Sequence, residues 1–320
     1  MQAPSQERRR LVFVGSVLVD LVVRVDELPG RGADILARGA HATPGAGFDV
    51  LAAAARHGLP AAFAGRHGDG PFGSRVEESL AAEGIDVLLP ATHGDDTGFR
   101  VGLVERGGDR TFVTCAGAES RLDTADLAGL RLESTDVVHV SGRDLAQPGA
   151  GTAIAGWLRT LPADIAVSLE VGPRHDDVPS DVHTRVLRRC DVVSMPLSAT
   201  GSLLGTSGVK AAAEALHDYA PRLTAAVFRR GVDGCWAYDA ESGSAPVEVP
   251  APPLDPTDGT RMDGTHTGVV LAGLARGLPV ATAALRANVA ALLGASGRDA
   301  ADIASAATVD RFLGTRWNGS

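Results

Sequence analysis

From Val137 to Phe228 the chain repeats one pattern, a short apolar run followed by a helical stretch and then another apolar run. The runs are Val137–Val140, Ile165–Leu169, Val192–Ser194 and Ala225–Phe228, with helical stretches such as Gly151–Thr160 and Val209–Tyr219 between them. Strands that are apolar on both faces must be covered on both faces. Parallel neighbours need a crossover long enough to hold a helix. The pattern therefore predicts an α/β fold whose central sheet is mostly parallel and carries helices on both faces. Leu11–Gly15 adds a buried first strand. A chain of 320 residues, 44% of them hydrophobic, has the material for one such domain over residues 1–320.

The first third departs from this pattern. Between Val17 and His41 apolar residues partly alternate with polar ones (Val22, Val23, Val25, then Ile35, Ala37), which predicts exposed strands with a turn at Pro29-Gly30-Arg31-Gly32. Asp49–His57 is alanine-rich and helical, and Gly58 ends it; Val76–Glu83 is a second helix closed by Gly84. Phe99–Glu105 and Arg110–Cys115 flank Arg106-Gly107-Gly108-Asp109, a hairpin signal. These early strands are expected to leave the sheet and form a β lid from about residues 17–41 and 97–116. Thr265–Leu293 is rich in alanine and leucine and helical, with breaks at Gly277 and Pro279.

Several function classes fall away. A net charge of −9 without a long basic run argues against nucleic acid as a partner. No apolar run reaches the ~18 residues of a membrane span. The polar N-terminus, ending in three arginines at Arg10, lacks the apolar core of a signal peptide, so a cytoplasmic location is expected. Cys115, Cys190 and Cys235 form no CxxC pair and are read as buried thiols. The histidines form no HxxxH or HxH cluster, so no metal site is expected, and no G-x-S-x-G elbow is present.

Several segments resemble the ribokinase-like (PfkB) carbohydrate kinases. Val14-Gly15-Ser16-Val17-Leu18-Val19-Asp20, followed by Val25-Asp26-Glu27-Leu28-Pro29, is similar to that family's first strand and lid. Pro44-Gly45-Ala46-Gly47-Phe48-Asp49 resembles its Gly-Gly-x-x-Asn substrate motif. Arg66–Gly73, Ala81–Ile85, Gly108–Phe112 and Thr265–Gly277 match further segments in the same order. The resemblance covers nearly the whole chain. It implies a ribokinase-like fold, a polar small-molecule ligand such as a sugar or nucleoside, and a homodimer through the β lid, because an exposed strand layer leaves open edges.

The departures gather where the chemistry should be. The family's catalytic loop reads Asp-Thr-x-Gly-Ala-Gly-Asp. Its glycine amides hold the transferring phosphate and its last aspartate takes the proton from the attacking hydroxyl. Aligned from Leu271 backwards, this chain reads Asp258-Gly259-Thr260-Arg261-Met262-Asp263-Gly264. The catalytic position becomes Gly264, and Arg261-Met262-Asp263 replace the glycine–alanine–glycine triplet. The family's Asn-x-x-Glu motif becomes Pro196-Leu197-Ser198-Ala199, and the side chains of Pro196 and Ala199, in the Asn and Glu places, have no oxygen to hold a water on magnesium. In the nucleotide strand Gly231 and Gly234 survive, but the threonine position is Arg229.

Candidate residues follow, each with a plainer alternative. Asp20 is read as a ligand contact or a lid surface residue. Gly45 and Gly47 let backbone approach a ligand. Asp49 is a ligand contact or a helix cap. Asp263 is a displaced base or a cap, and His266 a catalytic or structural histidine. Arg143 and Glu170 follow strands at the sheet edge where α/β proteins bind ligands. Arg229 and Arg230 could hold an anion but read more simply as a solvated pair. Gly231 and Gly234 matter only if nucleotide binds. Three functions remain open: a pocket repurposed for non-kinase chemistry with no cofactor, an atypical Mg-ATP-dependent kinase using Asp263 as base, or a non-catalytic ligand-binding or regulatory protein.

Overall fold

The computed structural model describes residues 9–256, 258–296 and 302–315. Thirteen strands form two sheets among these residues. In chain order they are β1 (Leu11–Val14), β2 (Val17–Arg24), β3 (Gly39–Ala46), β4 (Ala61–Ala64), β5 (Asp86–Val87), β6 (Phe99–Val104), β7 (Arg110–Cys115), β8 (Val137–Ser141), β9 (Ala166–Glu170), β10 (Val192–Pro196), β11 (Ala225–Arg229), β12 (Cys235–Asp239) and β13 (Val247–Val249). The main sheet runs β13-β12-β11-β10-β9-β8-β1-β4-β5. From β11 to β5 every pairing is parallel; β12 and β13 close the other edge antiparallel.

Helices cover both faces, as the apolar runs require. They are α1 (Gly47–Arg56), α2 (Pro71–Ala82), α3 (Thr124–Ala128), α4 (Gly142–Leu145), α5 (Ala150–Leu158), α6 (Ser180–Leu187), α7 (Thr200–Leu204), α8 (Val209–Tyr219), α9 (Met262–Ala275), α10 (Val280–Ala295) and α11 (Ala306–Thr315). One core joins Val138, Val140, Val167, Leu169, Val193, Met195 and Phe228 to α3, α5, α6 and α8. The other joins Val137, Val192, Ala225 and Val227 to α1, α9 and α10. On this second face the strands turn polar toward their C-terminal ends, at His139, Ser168, Glu170, Ser194 and Arg229, all buried. Buried polar groups need partners, and this concentration marks where the site lies.

The second sheet, β3-β2-β6-β7, is the expected departure from the main sheet. β2 pairs antiparallel with β3 and parallel with β6, and β6 forms the hairpin with β7. Ile35 and Ala37 do not lie in a strand. Residues 26–38 form an exposed loop, with Leu36 95% exposed, and the outer strand begins only at Gly39. The partial alternation had no buried face behind it. The helix breaks at Gly277 and Pro279 are where α9 ends and α10 begins, and Gly277 has φ 77°, which favours glycine.

Candidate active site

A cavity of about 470 Å³ lies between the C-terminal edge of the main sheet and the second sheet. Its lining includes Gly47, Asp49, Arg100, Arg110, Arg143, Glu170, Asp263 and Gly264. A groove of about 600 Å³, lined by Arg110, Pro196, Arg229, Gly231, Met262 and Asp263, lies next to it. Arg110 and Asp263 line both.

Asp20 sits mid-strand in β2, directly opposite Arg100 of β6. Both are buried. Arg100 donates from Nε to Asp20 Oδ1 at 2.8 Å and from Nη2 to Oδ2 at 2.5 Å. The guanidinium also lies 4.4 Å from the centre of the Phe112 ring. Arg100 lines the cavity, whereas Asp20 stands behind it with both carboxylate oxygens taken. The glycines also have a different reason from the one expected. A Cβ on Gly45 would lie 2.2 Å from Asp20 Oδ2, and one on Gly47 would lie 2.2 Å from the Phe13 ring. Each makes room for a protein side chain. The backbone strain falls between them on Ala46, at φ 55° and ψ −122°, a conformation open mainly to glycine.

Asp49 lies in the first turn of α1, past the N-cap, so it is not the cap. Arg261 donates from Nε to Asp49 Oδ1 at 2.7 Å and from Nη2 to the Pro44 carbonyl at 2.9 Å. Burial pushes the Asp49 carboxyl up to about 6, against the pull of Arg261. Gly264 packs against this residue: a Cβ there would be 2.7 Å from the Asp49 Cβ. Gly264 thus faces the cavity beside Asp49 and carries no side chain.

Asp263 also makes no capping hydrogen bond. It is more than half exposed, and its Oδ1 lies 3.1 Å from Arg229 Nε, a charge contact without hydrogen-bond alignment. Arg229 is not one of a solvated pair. It is buried at the end of β11 and donates to Ser194 Oγ at 2.5 Å and to the Val171 carbonyl at 3.2 Å. Its Nη2 is 3.6 Å from Glu170 Oε1. Only Arg230 behaves as a surface residue, bonded to Glu248 at 2.5 Å. Burial raises the Glu170 carboxyl to about 7, partly opposed by Arg229. Arg143, in α4 just after β8, lines the same cavity; burial first and Arg100 second lower its pKa.

His266 lies within α9, buried, with Nε2 3.1 Å from Asn288 Oδ1. Burial and Arg229 hold it down at about 4, so it is neutral at pH 7. It lines a separate cavity of only about 20 Å³, together with Gly231, Gly234 and Asn288. Gly231 and Gly234 have φ 63° and 92°, and a Cβ on Gly234 would lie 2.3 Å from the Val249 carbonyl. The turn from β11 to β12 accounts for both glycines without a nucleotide.

Residues 8–305 match the pfkB family of carbohydrate kinases, and the chain belongs to that family. It is similar to an uncharacterized sugar kinase, YegV, of Escherichia coli strain K12, at 29% identity over 92% of this chain and 91% of the relative. It is 26% identical to a ribokinase of Bacillus subtilis strain 168 over 89% of this chain and 92% of that one. Among solved structures, a ribokinase of Giardia lamblia superposes with a TM-score of 0.78 at 20% identity, covering 95% of this chain and 99% of that chain. The Arabidopsis thaliana ribokinase complexed with ribose and ATP superposes with a TM-score of 0.71 at 19% identity, over 95% and 98%. The fold is ribokinase-like.

Family membership raises the question of whether Mg-ATP fits. The residues present do not match it. Arg261 and Met262 bring long side chains where the resemblance places glycine and alanine, and the Arg261 guanidinium turns to Asp49 and the Pro44 carbonyl. The Met262 amide at the start of α9 already bonds the Gly259 carbonyl at 3.2 Å. The Asp263 carboxylate occupies the first turn, where an incoming anion would meet like charge. Pro196 ends β10, and Ala199 is fully buried in the core beneath it.

Proposed function

We propose that this member of the carbohydrate kinase family binds a polar, hydroxyl-bearing small molecule in the 470 Å³ cavity and does not phosphorylate it by the family's route. Asp49, Glu170 and Arg143 contact the ligand, and Asp20 acts through Arg100. The observation that carries this reading is the exchange of charge at the start of α9. The catalytic position is Gly264, packed on Asp49, while Arg261 and Arg229 are already neutralised by Asp49 and by Asp263 with Glu170. Phosphoryl transfer depends on positioned cations and amides. Here Arg261 and Arg229, the two cations beside the start of α9, have partners within the protein. The pocket then either supports different acid–base chemistry, with Asp49 and Glu170 as the groups whose pKa values suit it, or binds without turnover.

Nucleotide binding tests this directly. Mg-ATP at about 100 times its dissociation constant would add roughly 2.7 kcal/mol to stability. No change in the unfolding temperature with millimolar Mg-ATP is expected, and a clear rise would oppose the reading. One observation favours a second reading, an atypical kinase: Asp263 lines both the cavity and the neighbouring groove. In that case ADP release would occur and Asp263→Asn would abolish it.

We also propose a two-fold dimer through the second sheet. All of β7 is exposed, with Phe112 38% and Val113 63% accessible, and an open strand edge invites pairing. A monomer by light scattering at micromolar concentration would remove the dimer and leave the rest.

A further inference from the structure

The guanidinium groups around the cavity are not alike. Arg100 is held bidentate by Asp20, Arg261 by Asp49, and Arg229 by Glu170 and Asp263. Arg143 is different. Among the described residues it makes no hydrogen bond or ion pair, yet it lines the cavity and lies largely out of water. Its sequence neighbour cannot serve it. The Asp144 carboxylate is directed away, accepting from the Ser16 backbone amide at 2.9 Å, from Ser16 Oγ and from Ser141 Oγ at 2.6 Å. Glu170 lies nearer Arg229, 3.6 Å from its Nη2, and attracts Arg143 only from beyond ion-pair distance. Arg110 also lacks a partner, but it is exposed on β7 and water serves it, as water serves Asp109 at the hairpin turn.

A desolvated cation without a partner is costly, because little water is left to stabilise the charge. Such a group persists where something outside the chain completes it. A guanidinium also presents a flat fork of donors and no acceptor, which matches the two oxygens of a carboxylate or phosphate. We infer that the ligand of this cavity carries an anionic group, a carboxylate or phosphate, held by Arg143, beside hydroxyls that meet Asp49 and Glu170. The substrate class is therefore a polyhydroxy acid or a sugar phosphate and not a neutral sugar. The inference rests on the proposed reading of this cavity as the ligand site.

Isothermal titration with paired probes tests it: D-glucose against D-gluconate and D-glucose 6-phosphate, and D-ribose against D-ribonate and D-ribose 5-phosphate. At least one anion should bind about 10- to 100-fold tighter than its neutral parent, the range for a charge-assisted hydrogen bond. The carboxylate and phosphate arms identify which anion. Arg143→Met should erase that preference, the anion losing about 10-fold or more relative to its neutral parent, while Arg143→Lys retains part of it. Circular dichroism of both variants guards against misfolding. Equal affinity for anions and neutral parents, or an equal loss for both in Arg143→Met, overturns the anion assignment and leaves the cavity reading standing. If no anion binds the assignment falls, and if the neutral sugars also fail to bind the cavity reading falls with it.

Discussion

Removing the Asp20 carboxylate should destabilise the protein far more than removing Asp20 and Arg100 together. The two side chains are only 4% and 8% exposed and share two hydrogen bonds of 2.8 and 2.5 Å. Asp20→Ala leaves a buried guanidinium without a counter-charge, a change that costs about 3–5 kcal/mol when a buried pair is broken from one side. Against a total stability of about 5–15 kcal/mol this is a large fraction. Asp20→Ala with Arg100→Met removes both charges and keeps apolar bulk against Phe112. That double variant should recover most of the loss, giving a coupling of about 2 kcal/mol or more. Urea unfolding of the four proteins, followed by circular dichroism, measures the cycle. If Asp20→Ala lies within about 1 kcal/mol of the wild type and the double variant is no better, the pair is not a buried structural unit, and Asp20 returns to being a direct ligand contact.

Three further outcomes are expected. Ala46→Gly should stabilise the protein by about 1 kcal/mol, because φ 55° with ψ −122° strains an alanine; a lower urea midpoint would refute the strain. The raised carboxyl of Glu170, about 7 when folded against an ordinary 4.5, binds its proton more tightly in the folded state. Stability should therefore fall as pH rises from about 4.5 through 7 and level off above, by about one to three kcal/mol, and Glu170→Gln should flatten that slope in pH-dependent unfolding. One thiol should react quickly with a colorimetric disulfide reagent, since Cys115 is exposed while burial raises the thiols of Cys190 and Cys235; two or three fast thiols would contradict the packing.

The parallel core was legible because apolar runs between helical stretches admit few other arrangements. Val137–Val140 and Ala225–Phe228 lie within one residue of β8 and β11. The second sheet was legible in its hairpin, β6–β7, where turn residues separate two strands. It was misread around Ile35 and Ala37, where alternation occurs in a loop with no core behind it. β12 and β13 were not identified; both are short and end the sheet antiparallel. Gly264 falls at the family's catalytic position only through the resemblance, aligned backwards from Leu271. The partners that redefine the site were not legible. Arg261 reaches Asp49 across 212 residues of chain, and Arg100 reaches Asp20 across 80. Arg229 looked solvated because Arg230 follows it, and the ends of β9 and β10 together with the start of α9 enclose it.

The most direct test of the central claim is ADP release by the wild-type protein with Mg-ATP over a panel of pentoses, hexoses, nucleosides, aldonates and sugar phosphates. Loss of one preorganised donor typically costs about 100- to 1000-fold in rate, and several such groups are replaced between Arg261 and Gly264. The account predicts release indistinguishable from background for every compound, including those that titration shows to bind. Turnover near one per second, the low end for ordinary enzymes, would contradict it.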